Sequence, residues 1–389
     1  MNLKLLSMLS ILALLYGCSS SNTDIIFANQ PTALISKESL GQQLYFDTSL
    51  SLNRTQSCAT CHAPANGFAD PRDNGVNGAV SLGDDGHSLG DRNAPTAAYA
   101  KFSPAFHITA EGKHVGGQFH DGRESNLTGQ AGGPSTNLGE MAMPSKATAV
   151  NRLKDNPAYI ESFKALYGTD IFADTEQAYG AMADSIAAFE RTELFAPFDS
   201  KYDRFLRGEY PLSKQEELGR TLFFSQQFTN CNQCHQLKSN PGAEQETFSN
   251  YQYHNIGVPV NSTVRALNGV TAGHIDRGLA ENPQVSDPLQ AGKFKVPTLR
   301  NIAITGPYMH NGVFQELRTV VLFYNKYNSR STKRQINPET GKHWQIPEIA
   351  ANLSRKELER GPALNDQRVD ALVAFMKTLT DKRYEHLLN

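Results

Sequence analysis

The chain has 389 residues, enough for two domains or one large bilobed unit, and its 39 % hydrophobic content can supply real apolar cores. With 37 Lys and Arg against 39 Asp and Glu the net charge is −2, so there is no basic surplus of the kind that nucleic acid or an anionic membrane surface selects.

An apolar run over residues 5–16 follows Lys4. It is too short to span a bilayer and has the form of a signal-peptide core. Leu15-Tyr16-Gly17-Cys18 resembles a bacterial lipoprotein cleavage site, with an ordinary secretory signal as the alternative. Residues 1–17 are therefore excluded from the fold. Cys18 is expected to become the lipidated first residue, and 18–33 reads as a flexible tether. The mature chain is expected on the periplasmic side of a bacterial membrane, lipid-anchored at the outer membrane.

Ser36 is a plausible helix N-cap, with Leu40, Leu44 and Tyr45 on one face. That helix leads to Cys58-Ala-Thr-Cys61-His62. The C-x-x-C-H pattern is the c-type heme attachment signature: two thiols three positions apart reach the two vinyl groups of one heme, and the next residue points an imidazole at the iron. Residues 66–92 are rich in Gly and Asp and read as a long loop. Asn93-Ala-Pro95-Thr96 opens an extended segment, and residues 116–123 form a second turn-rich stretch. Residues 130–143 follow, with Pro134 and Glu140. Residues 147–167 and 176–194 carry helical periodicity, the second more clearly through Tyr179, Met182, Ile186 and Phe189. Ser213-Lys-Gln-Glu216 is a capping box opening another helix, which leads to Cys231-Asn-Gln-Cys234-His235. Zinc or disulfides could use the same thiols, but neither explains a His directly after each pair.

An internal repeat now shows. Leu40-Gly41-x-x-Leu44-x-Phe46 matches Leu218-Gly219-x-x-Leu222-x-Phe224, and Phe119-His120-Asp-Gly122 matches Met309-His310-Asn-Gly312. Each half reads as one cytochrome c-like unit of helices and long loops around a heme. Ser354-Arg-Lys-Glu357 is a further capping box, and Val369, Leu372, Val373, Met376 and Leu379 mark a closing amphipathic helix. No strong strand pattern appears, so the fold class is mainly α. The expected divisions are an N-terminal heme domain over 34–170, a helical connection over 171–212 and a C-terminal heme domain over 213–389.

The second axial ligand decides what a heme does: a six-coordinate iron carries electrons, and a five-coordinate iron binds peroxide or oxygen. Tyr324 follows His310 at the offset at which Pro134 follows His120. Pro cannot ligate a metal. If this position faces the iron in both halves, a phenolate caps the second heme and the first is open; a core aromatic is the other reading of Tyr324.

These motifs resemble the bacterial diheme cytochrome c peroxidase family, and within it the MauG-type, methylamine-utilisation branch. The most specific stretches are Gly90-Asp-Arg-Asn-Ala-Pro-Thr96, Lys293-Phe-Lys-Val-Pro-Thr-Leu-Arg-Asn301, Gly306-Pro-Tyr-Met-His-Asn-Gly312 and Leu322-Phe-Tyr-Asn-Lys-Tyr327. The resemblance implies two covalent c-type hemes, with His62 on the first iron and His235 and Tyr324 on the second. It implies hydrogen peroxide as substrate at the first heme and Glu140 as the distal acid–base. Gln130 and Pro134 match other distal positions. It also implies one calcium ion, at the Asn93 side chain and the Thr305 and Pro307 carbonyls. A phenolate ligand favours the higher oxidation states of iron, so the second heme would store oxidising equivalents.

Two departures stand out. His120 replaces the family's Trp between the hemes; it would either bridge by hydrogen bonds or ligate the first heme. Thr229 replaces a surface Trp of the methylamine-utilisation enzyme, and Trp344 is the only Trp in the chain. His87, on the loop that caps the first heme in other diheme peroxidases, is a further candidate ligand. The leading expectation is a periplasmic peroxidase that reduces hydrogen peroxide with electrons from a small donor such as cytochrome c or a cupredoxin. The alternatives are a peroxide-dependent oxidase that modifies residues of a partner protein, and a non-catalytic electron-transfer cytochrome.

Overall fold

Two helix crossings of the same design frame the molecule. The computed structural model describes residues 36–271 and 273–388, so Cys18, the signal segment and the tether lie outside the described residues. Helix α1 (Lys37–Phe46) is capped by Ser36, whose hydroxyl accepts from the Ser39 N–H. After α2 (Cys58–Cys61) come a long loop, a two-residue hairpin (β1, His107–Ile108; β2, His114–Val115) and α3 (Leu127–Thr136). Helices α4 (Lys146–Lys154), α5 (Pro157–Tyr167) and α6 (Thr175–Glu190) follow. Then come α7 (Lys201–Leu206), α8 (Lys214–Phe223), a short bridge between β3 (Tyr253–His254) and β4 (Phe294–Lys295), and α9 (Ser262–Arg265). Helices α10 (Leu317–Asn325), α11 (Arg355–Leu358) and α12 (Asp366–Lys377) complete a mainly helical chain.

In the first half α1 packs across α6, and in the second α8 packs across α12. Each crossing is closest at a glycine. A Cβ on Gly41 would lie 1.8 Å from the Ser185 carbonyl oxygen, and one on Gly219 would lie 1.9 Å from that of Ala371. Only a residue without a side chain lets the backbones approach this closely. α3 lies against α6, and α10 against α12, so the same three-helix frame recurs.

Each frame has its own apolar core. Leu40, Leu44, Tyr45, Met182, Ile186 and Phe189 belong to the first, and Leu222, Phe223, Phe323, Leu372 and Phe375 to the second. Segment 171–212 is thus more than a connection, because α6 supplies much of the first core. Polar ties join the halves into one compact unit. Tyr99 donates to Asp381 (2.6 Å) and Tyr384 to the Pro64 carbonyl (2.6 Å), while buried Arg300 makes a bidentate pair (2.5 and 2.9 Å) with Asp203 of α7, which packs with the second core.

Two local expectations are corrected. Residues 147–167 are two helices, broken where Asn156 caps a helix with Pro157 in its first turn. The box at Ser354 does not close: α11 is a four-residue turn and the Ser354 hydroxyl caps nothing. The box at Ser213 does close, with Glu216 accepting from the Ser213 N–H. No helix among the described residues is long and apolar enough to cross a membrane.

Candidate heme centres

Both C-x-x-C-H segments sit directly beyond the first helix of their frame. In each, the His backbone N–H closes a turn onto the first Cys carbonyl, at 2.9 Å for His62 on Cys58 and 2.9 Å for His235 on Cys231. The ring nitrogens are held alike. His62 Nδ1 lies 3.3 Å from the Phe68 carbonyl and His235 Nδ1 lies 3.1 Å from that of Phe248. Phe68 and Phe248 both have φ of 57°, a left-handed conformation uncommon for non-glycine residues. A ring donating through Nδ1 keeps Nε2 as the metal-binding nitrogen. Burial lowers the proton affinity of both rings, that of His235 to about 4, so both are neutral and fit to ligate. None of the four thiols is in a disulfide.

A cavity of about 370 Å³ is lined by Cys231, Cys234, His235 and, from α10, Tyr324. Burial raises the Tyr324 phenol, and the neighbouring Cys234 and Cys231 add to the shift. Thiols, imidazole and phenol thus converge on one apolar space, the donor set a covalent heme with a His and a Tyr axial ligand requires.

At the first centre the groups differ. Pro134 occupies α3 as Tyr324 occupies α10; both helices open on a buried Leu, Leu127 and Leu317, at the same offset before these residues. Gln130 lies one turn before Pro134 on the same face. Glu140 follows α3 in a tight turn, with Asn137 Nδ2 donating to its Oε1 at 2.9 Å. Burial raises the Glu140 carboxyl, against the pull of Arg123 and Asn137. Burial likewise raises the thiols of Cys58 and Cys61, the latter to about 11, and the Glu140 charge adds a smaller part to both shifts.

His120 donates from Nε2 to the Asn93 carbonyl at 2.9 Å, and its own carbonyl accepts from the Lys295 N–H at 2.8 Å. Burial, helped by Arg92 and Lys295, pushes it down to about 4, so it is a neutral bridging donor. His87 is exposed and lies 3.2 Å from Asp85. Asn93, Thr305 and Pro307 line one wall of the same cavity as His120. Asn93 Nδ2 donates to the Ala79 carbonyl (3.0 Å), which leaves its Oδ1 as the acceptor. Among the described residues no group of three or more His, Cys, Asp and Glu could hold a metal ion, so an ion here would rely on amide and backbone oxygens.

Several residues at the site carry no local sequence signal. Arg92 binds Asp121 (2.5 Å), Asp276 (2.6 Å) and Glu281 (2.9 Å), tying the loop before Asn93 to a distant segment. His310 stacks on Phe294 with ring centroids 3.6 Å apart; the repeat relating it to His120 could have flagged it. Glu190 on α6 is buried, which pushes it up to about 8, and its charge reaches Cys58.

Two thiol–imidazole centres on a doubled helical frame, one with a phenol in its cavity and the other with Pro134 at the matching place, define a diheme c-type oxidoreductase. The profile of the di-haem cytochrome c peroxidase family matches residues 36–211. The methylamine utilization protein MauG of Paracoccus denitrificans is 56 % identical over 349 residues, covering 90 % of this chain and 89 % of that protein. Cytochrome c551 peroxidase of Nitrosomonas europaea is 30 % identical, covering 95 % of this chain and 90 % of its own. The crystal structure of the diheme peroxidase BthA from Burkholderia thailandensis superposes with a TM-score of 0.80 at 30 % identity, covering 93 % of this chain and 91 % of that one. The chain belongs to the di-haem cytochrome c peroxidase family: it is a heme-dependent oxidoreductase that uses peroxide and carries two c-type hemes.

Proposed function

We propose that this protein spends the oxidising power of hydrogen peroxide on side chains of a partner protein. The likeness to MauG, at 56 % identity against 30 % for the cytochrome c551 peroxidase, moves the weight from the donor-fed peroxidase to this reading. The observation that carries it is the pairing of Tyr324 and Pro134 at matching places in the two frames. Hemes at the two motifs supply the redox chemistry, with peroxide reduced at the first.

The chain's own residues have separable tasks. His62 and His235 would hold the heme irons, and Cys58, Cys61, Cys231 and Cys234 would anchor the hemes. Glu140 takes the first proton of peroxide and returns it to the leaving oxygen; its raised proton affinity suits both steps. Asn137 fixes Oε1 and leaves Oε2 for this exchange. Gln130 and Pro134 would shape the space at the first heme, where Pro134 offers no donor atom. Tyr324 would hold the second heme through its phenol oxygen, a donor that favours the higher oxidation states of iron. His120 bridges the halves through its carbonyl, which accepts from the Lys295 N–H, while its ring is held by the Asn93 carbonyl. The Asn93 Oδ1 and the Thr305 and Pro307 carbonyls hold calcium. The protein works in the periplasm, tethered through a lipid on Cys18, with one heme on the α1–α6 frame and the other on the α8–α12 frame.

Peroxide added to the holo-protein in the presence of co-expressed periplasmic proteins tests this. Mass spectrometry should find a partner that has lost hydrogens or gained oxygen in a peroxide-dependent way. Fast peroxide turnover with reduced cytochrome c or a cupredoxin, with every partner mass unchanged, would establish the donor-fed peroxidase instead.

A further inference from the structure

The single indole of the chain, Trp344, has no part in the chemistry above. It sits half-buried in a surface segment whose other residues, His343, Gln345 and Ile346, are exposed, Ile346 at 85 %. Inward, its ring packs edge-on against Phe323, with centroids 5.5 Å apart, and against Phe314 at 5.6 Å. Phe323 adjoins Tyr324 on α10; its ring lies 6.2 Å from that of Tyr324 and 6.1 Å from that of Tyr327. A continuous set of aromatic rings therefore runs from the phenol in the second cavity to the protein surface.

The polar groups along this run favour one resting place for a positive hole. A phenol loses its proton when it loses an electron, and the Tyr327 hydroxyl donates to the Ile256 carbonyl at 3.0 Å, a poor base. An indole can lose an electron and keep its proton. Trp344 Nε1–H donates to the Arg334 carbonyl at 2.9 Å, an interaction that strengthens as the ring becomes positive. The Lys326 ammonium, 5.7 Å from the indole centroid, works the other way and keeps such a hole short-lived.

We propose that Trp344 is the exit residue for oxidising equivalents, the point at which an outside protein gives up its electrons. This rests on the function proposed above. An electron leaves the indole for the oxidised second-heme centre by way of the Phe323 and Tyr324 rings. The indole is then restored by one electron from a phenol or indole side chain of a protein docked over Ile346. Two such passages consume the two equivalents of one peroxide, which takes up two electrons and two protons to become two waters, while the partner loses two electrons and two protons.

Because the chain holds one Trp, ring-deuterated tryptophan labels a single site. The holo-protein is mixed with peroxide, frozen at short intervals and read by electron paramagnetic resonance, with heme absorption followed in parallel. The expected result is a radical signal that narrows on indole deuteration, is lost in Trp344→Phe, and in that variant leaves the peroxide-oxidised hemes longer-lived. Signals and decay that respond neither to deuteration nor to Trp344→Phe, while peroxide still oxidises the hemes, would overturn the exit role and leave the proposed function standing. Heme spectra unmoved by peroxide in the wild type would remove both.

Discussion

The two glycine crossings make a sharp demand on the helix frame. Replacing Gly219 with Ala puts a methyl carbon 1.9 Å from the Ala371 carbonyl oxygen, where ordinary contact begins at 3.4 Å; at Gly41 the starting distance is 1.8 Å. The obstacle is helix backbone, which cannot rotate aside as a side chain can. Overpacking costs about 1–3 kcal/mol and sometimes more, and a rigid obstacle belongs at the upper end. Better helix propensity returns about 1 kcal/mol, so each variant should lose a net ~2 kcal/mol. Gly180 on α6 is the control. It is exposed and a Cβ there meets nothing within 4 Å, so Gly180→Ala should stabilise by roughly 0.5–1 kcal/mol. Urea unfolding of the holo-proteins, followed by far-ultraviolet circular dichroism, reads all three. The damage should also be local. Tyr45 on α1 donates to the His62 carbonyl at 2.7 Å, so Gly41→Ala should disturb the spectrum of the first heme, and Gly219→Ala that of the second. An Ala variant at either crossing that unfolds at or above the wild-type midpoint would refute the close approach.

Glu140→Gln should slow the reaction with peroxide by about 10²–10⁴-fold in stopped-flow absorbance, the usual worth of a positioned acid–base; an unaltered rate removes Glu140 from the chemistry. Since burial raises this carboxyl and Arg123 lowers it, the rate should rise with pH through a value above that of an ordinary Glu. Arg123→Met should move that rise to higher pH, and a profile that stays put would show that the two charges do not interact. Tyr324→Phe should change the resonance spectrum of the second heme and spare that of the first; two unchanged hemes would mean that the phenol does not reach iron. Arg300→Met strands the Asp203 carboxylate in a buried site, where Arg300 is 0 % and Asp203 3 % exposed, and should cost about 3–5 kcal/mol in the same unfolding assay.

What was legible in the sequence was what repeats. The heme motifs, the Leu-Gly pattern of α1 and α8 and the helical periodicity of α6 and α12 are local signals, and each reappears as an element. The break at Pro157 was available in the Asp155-Asn156-Pro157 string, because Asn caps and Pro opens helices. Helix α3 was not legible. It contains Gly129, Gly132, Gly133 and Pro134, all poor helix formers. Packing supplies what propensity lacks: Asn126 caps its start, and Leu127 and Ala131 are buried where α3 lies against α6. The ties of Arg92 to Asp276 and of Arg300 to Asp203 cross roughly a hundred positions or more, and no local pattern reports a contact of that range.

The same contrast explains how one frame can serve two chemistries. Whatever orients the proximal imidazoles is duplicated, down to the left-handed Phe68 and Phe248 whose carbonyls hold Nδ1. Difference is confined to the helix opposite. In α10 a strongly apolar sequence with Leu322 and Phe323 buried in the core fixes the rotation that sends Tyr324 into the cavity. In α3 the glycines and Pro134 remove side chains, and the turn after it brings in a carboxylate instead. Exchanging the residues alone would therefore not exchange the roles. With Pro134→Tyr the phenol would stand near the end of a short helix in which Gly129, Gly132 and Gly133 replace the apolar residues that fix the rotation of α10. The asymmetry that matters for function is thus built into the packing of α3 and α10 against α6 and α12, and the ligand identities follow from it.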